Sequence, residues 1–143
     1  YGAAPDYVVH AGLVFMRLEV ELLKTLGRGW PQSANRDLVW HQLFREAERP
    51  EEADREVVVL TRILRHPVNS QMSLSLPAAV DRINGRPVRS LSDVVDAFAS
   101  NRDRFHRIEL EGDGGVEVLD REKAEAAHPE ILRQYAIPND RRP

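Results

Sequence analysis

The sequence predicts a single α+β domain in which a small antiparallel sheet packs against flanking helices. Three observations support this fold class. Short β-branched runs recur along the chain and are separated by turn residues. An amphipathic helix follows a clear N-cap signal in the second half of the chain. The length of 143 residues, with 42% hydrophobic and 30% charged residues, suits one globular domain with a real core.

The first strands are expected within residues 7–18, which are β-branched and aromatic with Gly12 in the middle. Two strand pieces joined at a bend explain this pattern. Apolar positions in residues 19–26 predict a short helix, and a second helical pattern follows Ser33 as a possible cap and ends before Pro50. In the second of them, Trp40, His41 and Phe44 fit either a binding patch or core packing. Core packing is the expected use, because amphipathic helices usually bury such side chains.

Residues 56–60 carry the strongest strand signal and are apolar enough to be covered on both faces. Residues 65–73 are expected to be mostly irregular. The next strand, residues 80–83, ends at Asn84-Gly85, a turn pair that tolerates positive φ. Pro87 then fixes φ and favours an extended exit from the turn.

A short helix is predicted after Ser90, whose side chain is a typical N-cap. Asp93, three residues later, makes this a carboxylate variant of the capping box. The apolar spacing i, i+3, i+4 and i+7 places one side of the helix against the core. That side consists of Leu91, Val94, Val95 and Phe98.

The last part of the chain predicts two strands and a helix. The strands, residues 108–111 and 116–119, meet across the glycine-rich hairpin turn 112–115. A charged helix follows over residues 121–135. It carries apolar residues that are too numerous for a loose end and should dock on the domain: Ile131, Leu132, Tyr135 and Ile137. Residues 140–143 are expected to fray.

Composition limits the possible functions. The net charge of −3 and the absence of a basic run argue against nucleic acid as the main partner. No apolar run approaches the roughly 20 residues that a membrane span needs. The absence of cysteine excludes disulfides and thiolate chemistry but leaves the compartment open. Tyr1 is not a native start, so we expect a fragment of a longer protein whose targeting information lies upstream.

No catalytic or metal-binding pattern stands out. There is no Gly-x-Ser-x-Gly nucleophile motif and no set of residues that would form a serine-protease triad. The five histidines are isolated in sequence and are interpreted as surface or strand residues without metal-ligand spacing. They are His10, His41, His66, His106 and His128. We therefore expect no catalytic residue, no metal and no cofactor in this chain.

Five separated motifs occur along the chain: Gly12-Leu13-Val14-Phe15, Val57-Val58-Val59-Leu60, Asn84-Gly85-Arg86-Pro87-Val88, Leu119-Asp120-Arg121-Glu122 and Tyr135-Ala136-Ile137-Pro138. In this order they resemble the second PDZ domain of plant-type proteases of the Deg/HtrA family, which are trypsin-like serine proteases. The resemblance implies a partly open antiparallel β-barrel or sandwich of the circularly permuted bacterial type. It implies one domain over 1–143, with a helical insertion and linker at 27–54 and a C-terminal helical extension at 122–143. Taken singly, the motifs also fit an ordinary strand–turn–helix or a plain core strand.

The resemblance also implies a peptide groove with two walls. PDZ domains hold a ligand's terminal carboxylate on the backbone N–H groups of a loop before one strand, and the peptide pairs with that strand. The implied peptide-binding residues are Gly12, Leu13, Val14 and Phe15 on the strand side and Asp93, Ala97 and Ser100 on the helix side. Stiff Val14 replaces the glycine of better binders, and Asp93 adds negative charge. We therefore expect weak binding of C-terminal carboxylates, with an open strand edge at 14–17 that can pair with internal strands.

The function implied by the resemblance is a non-catalytic regulatory and protein-interaction domain of a Deg/HtrA-like serine protease. Its implied partners are peptide or unfolded-protein segments, the protease domain and neighbouring subunits of the parent protein. The alternative is an oligomerisation domain whose groove is filled by its own chain and binds no free peptide. An independent hydrolase is disfavoured because the nucleophile motif is missing. By family resemblance the compartment would be the cell envelope or periplasm, but the sequence contains no signal that decides it.

Overall fold

The computed structural model describes residues 6–18, 57–74, 76–111 and 115–142. In chain order the elements are β1 (Tyr7–His10), β2 (Leu13–Arg17), β3 (Val58–Ile63), a short 3₁₀ helix (Pro67–Asn69), β4 (Ala78–Ile83), β5 (Arg86–Pro87), α1 (Leu91–Ser100), β6 (Phe105–Leu110), β7 (Val116–Asp120), α2 (Arg121–Gln134) and β8 (Arg141–Arg142). The helices predicted at 19–26 and between Ser33 and Pro50, with the linker that follows them, lie outside the described residues. So does most of the predicted turn at 112–115.

The strands form an open antiparallel sheet in the order β7-β6-β4-β3-β2-β1-β8, and the short β5 pairs with β4 beside this path. Within the described residues, two α-helices pack against the sheet. This arrangement confirms the predicted α+β, PDZ-like fold. The irregular stretch expected at 65–73 contains the 3₁₀ helix, for which His66 is the N-cap.

The main core lies between the sheet and α1. Every second residue of β1, β2 and β6 points into it, as period-two alternation requires. From α1 it receives Leu91, Val94, Ala97 and Phe98, and from the sheet it receives Val8, Leu13, Phe15, Val58, Leu60, Val80, Ile83, Ile108, Leu110 and Leu119. Val57 to Leu60 are all buried, as expected for a strand covered on both faces.

The structure confirms the predicted turn and helix start. Asn84 and Gly85 have φ values of 54° and 80°. The Ser90 hydroxyl accepts a hydrogen bond from the Asp93 N–H at 3.3 Å. The Asp93 carboxylate in turn accepts from the Arg89 N–H at 2.9 Å, one residue before the cap.

A second apolar cluster joins α2 and the tail to the other face of the β1–β2 hairpin. Ile131 is fully buried with Val9 and Leu64, and Leu132 and Ile137 pack against them. The predicted docking of the last helix is therefore confirmed. The prediction that residues 140–143 fray is wrong for 140–142, because β8 pairs with β1 and the Asp140 carbonyl accepts from the Val9 N–H at 2.7 Å. No helix among the described residues has the length and apolar character to cross a membrane.

Candidate peptide-binding groove

The predicted carboxylate-binding loop is a tight two-residue hairpin turn. Ala11 and Gly12 have φ values of 50° and 90°, so both central residues are left-handed, as in the hairpin turns that match strand twist. Gly12 is required here, because a Cβ would lie 2.5 Å from the Leu64 carbonyl oxygen and 2.6 Å from the Asn69 side-chain nitrogen. The turn is therefore packed against the 64–69 segment and is not an open loop.

The polar groups of this turn are bound to neighbouring parts of the fold. The Ala11 N–H donates to His128 Nδ1 at 3.0 Å, and the Ala11 carbonyl accepts from the Asn69 side-chain amide at 3.0 Å. The Gly12 carbonyl accepts from the Leu64 N–H at 2.7 Å. These bonds hold the turn in one conformation.

The strand that follows the turn is paired on both sides. β2 pairs with β1 through the register Val8↔Phe15 and His10↔Leu13, and with β3 along its whole length. The expectation of an open edge at 14–17 is therefore wrong over residues 14–16. The side chains of Leu13 and Phe15 are fully buried in the main core. β1 thus takes the position beside β2 that an added peptide strand would take in this class of groove.

The helix residues predicted to face the loop lie in different environments. Asp93 is at the first turn of α1, where its carboxylate lies 3.9 Å from Arg86 Nε. Ala97 and Ser100 line a surface pocket of about 390 Å³ that also contains Asn84 and Arg102. Ala97 also belongs to the main core that contains Leu13 and Phe15, so the structure brings it together with part of the predicted strand side.

Phe98 of α1 makes ring contacts with both strands of the β1–β2 hairpin. Its ring lies 5.9 Å from the Phe15 ring and stacks on His10 of β1 at 4.1 Å, with the two planes 11° apart. A small cleft of about 190 Å³ remains where β1, the two helices and the tail meet. Its walls include Val95, Phe98, His10, His128 and Asp140.

Three histidines from distant parts of the sequence meet around Phe98. His10 belongs to β1, His106 to β6 and His128 to α2, and the rings of His106 and His128 lie 5.2 and 5.3 Å from that of His10. His10 and His106 lie on strands, as interpreted, but the three histidines are not isolated, because their rings meet at His10. No group among the described residues has the arrangement of a metal site.

Two asparagines fix the protonation state of His106, which is fully buried. Its Nδ1 lies 3.1 Å from the Asn84 side-chain nitrogen and 3.0 Å from that of Asn101. Both amides are oriented by backbone partners, because Asn84 accepts from the Arg107 N–H and Asn101 accepts from the Asp103 N–H. Since both amides present N–H donors, His106 Nδ1 must be an acceptor and the ring proton lies on Nε2.

His128 is held in the same tautomer by other partners. Its Nδ1 accepts the Ala11 N–H, so its Nε2–H donates to the Asp140 carboxylate at 2.9 Å. Burial alone would raise the pKa of Asp140, but hydrogen bonds from His128 and Arg141 lower it below its ordinary value. This pair ties the tail to the turn of the β1–β2 hairpin.

Burial dominates the electrostatics of the other two histidines. It lowers the pKa of His10 to about 3, and the neighbouring rings of His106 and His128 act in the same direction. Burial also lowers the pKa of His106, against the opposing effect of Glu125. His10 and His106 are therefore neutral at pH 7.

The sequence contained only weak signals for this cluster. His10 and His106 each alternate with apolar core residues on a strand, which places them on an inward face. Nothing local indicates that they meet, since the contacts join residues 96 and 118 positions apart along the chain. The role of Asn69 was also missed, because a buried amide inside an irregular stretch has no sequence pattern.

Comparison with known proteins defines the class. The PDZ domain family matches residues 1–143, so the chain belongs to the PDZ domain family, whose members are protein-interaction modules. It is therefore a PDZ domain and not a protease domain. Among curated proteins, it is similar to "Protease Do-like 2, chloroplastic" of Arabidopsis thaliana, with 28% identity over 142 residues. The match covers 98% of this chain and 22% of that protein, so the chain spans about a fifth of the relative's length. Both findings agree with the predicted resemblance to the PDZ domains of Deg-type proteases.

Proposed function

We propose that this chain is a non-catalytic regulatory and interaction domain of a Deg/HtrA-like serine protease, and that its own β1 closes the peptide groove. The observation that carries the proposal is the antiparallel pairing of β1 with β2 from Tyr7↔Met16 to His10↔Leu13. A free peptide can add to β2 only after β1 leaves. The partners we propose are therefore the protease domain and neighbouring subunits of the parent protein, or internal segments, in preference to free C-termini.

The chemistry of the turn supports the same conclusion. A PDZ carboxylate site needs backbone N–H groups that point at the anion. Here the Ala11 N–H is bound to His128, and Leu13 to Phe15 are strand residues in the middle of the sheet. The peptide-binding roles proposed for Gly12, Leu13, Val14 and Phe15, and for Asp93, Ala97 and Ser100, would therefore require rearrangement of the hairpin.

A peptide titration at pH 7.5 tests this proposal. Matched free-acid and amidated peptides are titrated against the chain, and we expect free C-termini to bind more weakly than about 100 μM. The variant Val8→Asp puts a charge on a buried β1 side chain, and it should loosen β1 and increase peptide affinity. Arg62→Asp is the control, because Arg62 is exposed on β3 and should leave affinity unchanged. Low-micromolar binding by the unaltered chain that is lost on amidation would refute the proposal.

The same pairing also favours an alternative function, an oligomerisation domain that binds no free peptide. In that case Val8→Asp would leave peptide binding undetectable, while sedimentation of the unaltered chain would show an assembly that dissociates on dilution.

A further inference from the structure

The histidine cluster around Phe98 has no role in the proposed function and sits where β1 is attached to the rest of the domain. Only His10 belongs to β1, while His106 and His128 belong to elements on the other side of the contact. The His10 ring is enclosed by Phe98 and by the other two imidazoles. Any change in the charge of this cluster therefore acts directly on the contact between β1 and α1.

The fold opposes protonation of His10 and His106 while β1 is in place. A second proton on His106 would lie on Nδ1, facing two amide N–H donors 3.0 and 3.1 Å away. His10 Nε2 is buried and has no hydrogen-bond partner within the described part of the chain. A proton there would place an unsolvated charge in the contact between β1 and α1.

Nearby charges do not compensate for this cost. The titratable and charged groups that face the cluster from the neighbouring elements are Arg121, Glu125, Asp140 and Arg141, besides the histidines themselves. Two are cationic and two anionic. Asp140 already accepts hydrogen bonds from His128 and Arg141, and Glu125 pairs with Arg121 at 3.3 Å. Asp140 raises the pKa of His10, but burial outweighs this effect and leaves the pKa well below its ordinary value.

We propose that this cluster is an acid-sensitive latch, which holds β1 in the groove at neutral pH and releases it on acidification. The proposal rests on the proposed function, in which β1 closes the groove. When β1 leaves, His10 reaches water and can carry a proton, and one edge of β2 becomes free to pair with a peptide strand. Acid would thus convert a closed interaction domain into an open one.

The direction and size of the pH effect on β1 docking follow from the linkage between docking and proton binding by His10. The pKa of His10 is about 3 with β1 in place, and its ordinary value in water is 6.5. Below pH 6.5 the released state therefore binds a proton that the docked state does not, and docking weakens until the pH approaches 3. Between pH 7.5 and pH 5.0 the docking equilibrium should shift by about 30-fold from His10 alone.

Amide hydrogen exchange of the full chain measures this equilibrium strand by strand. Protection factors, corrected for intrinsic exchange rates, are compared at pH 7.5 and pH 5.0 for β1 amides and for the buried Leu60 and Ile108 amides. We expect β1 to be less protected than these two at both pH values, and its protection to fall about 30-fold on acidification.

Variants assign the effect to His10. His10→Phe keeps a flat ring against Phe98 and cannot titrate, so the pH response of β1 should fall below about 3-fold. His10→Leu provides a second test if the larger ring is not accommodated. His66→Asn is the control, since it removes a histidine outside the cluster and keeps a side chain that can cap the 3₁₀ helix. It should respond to pH as the unaltered chain does.

Three outcomes would overturn the latch. In the first, the protection of the β1 amides does not change with pH. In the second, the β1 amides are as protected as those of Leu60 and Ile108 at each pH, and in the third, β1 protection falls on acidification as much in His10→Phe and His10→Leu as in the unaltered chain. The second would mean that β1 leaves only when the whole domain unfolds. The two proposals are tested by separate measurements. Tight binding of free C-termini at pH 7.5 would refute the proposed function, whatever the exchange experiment shows. A flat exchange profile would refute the latch alone.

Discussion

At the scale of single residues, two glycines with nearly the same backbone conformation have different structural roles. Gly12 and Gly85 have φ values of 90° and 80°. A Cβ at Gly85 would meet nothing within 4 Å, whereas a Cβ at Gly12 would meet the Leu64 carbonyl and the Asn69 amide. Gly85 supplies only a turn conformation. Gly12 also lets the hairpin turn approach the 64–69 segment closely enough for its hydrogen bonds to form.

This difference predicts unequal costs for the same substitution. Gly85→Ala should lower the free energy of unfolding by about 1–2 kcal/mol, the cost of a left-handed alanine. Gly12→Ala has the same conformational cost, and its Cβ must also displace a backbone carbonyl. We therefore expect the free energy of unfolding to fall by about 2–5 kcal/mol in total. Urea denaturation of both variants checks the prediction. Equal losses would show that the close contact at Gly12 relaxes without cost.

At the scale of elements, β1 is held along both edges and both faces. It pairs with β2 and β8, its Val8 enters the main core, and its Val9 joins the cluster formed with α2. Residues 140–142 and α2 therefore help to hold β1 in its place beside β2. The contact made by the Tyr7 hydroxyl with the Asn139 carbonyl, 2.8 Å long, belongs to the same arrangement.

The packing of α2 gives a prediction at this scale. Ile131 is fully buried against Val9 and Leu64, so Ile131→Ala should lower the free energy of unfolding by about 2–5 kcal/mol. Gln134→Ala is a matched control in the same helix, because Gln134 is exposed. It should change stability by less than about 0.5 kcal/mol. Thermal or urea unfolding measures both. Similar stabilities for the two variants would mean that α2 contributes little to the fold.

Local sequence signals predicted most of the strands and helices, but they did not predict which strands pair with each other. The Asn84-Gly85 turn, the Ser90 cap and the apolar side of α1 depend on residues close together in the chain, and all were predicted correctly. The pairing of β2 with β1 instead of an external strand depends on where β1 folds back. The short β8 gives no strand signal of its own, since Arg141–Arg142 is exposed and forms a strand only because β1 presents an edge.

The candidate site depends on the same long-range packing. Residues 12–15 lie on a glycine bend and a strand, as predicted, but their accessibility depends on packing that arises only in three dimensions. The family resemblance implied Ala97 and Ser100 as groove residues, and their peptide-binding role stays a prediction. The α1 ring that stacks on His10 of β1 is that of Phe98. A buried aromatic residue that is typical of a core does not by itself indicate which strand it contacts.

At the scale of the whole molecule, the His128–Asp140 pair, which has two of the residue types of a hydrolase triad, is arranged for structure. In a serine-protease triad the carboxylate binds one imidazole nitrogen, and the other nitrogen takes the proton of the serine hydroxyl. Here His128 Nε2 binds Asp140, and Nδ1 already accepts the Ala11 N–H at 3.0 Å. Neither nitrogen can act as a general base without breaking the turn of the β1–β2 hairpin.

We therefore predict that the isolated chain does not cleave proteins. It lacks the Gly-x-Ser-x-Gly motif, and both nitrogens of its one histidine–aspartate pair within the described residues are engaged in hydrogen bonds. The purified chain is incubated with unfolded casein at pH 7.5 and pH 5.0, with trypsin as the positive control, because the proposed latch would open at the lower pH. His128→Gln provides a comparison, since the variant removes the imidazole of that histidine–aspartate pair. Cleavage that a serine-directed inhibitor blocks, and that is lost in His128→Gln, would show that the chain carries its own catalytic site and would overturn the non-catalytic assignment.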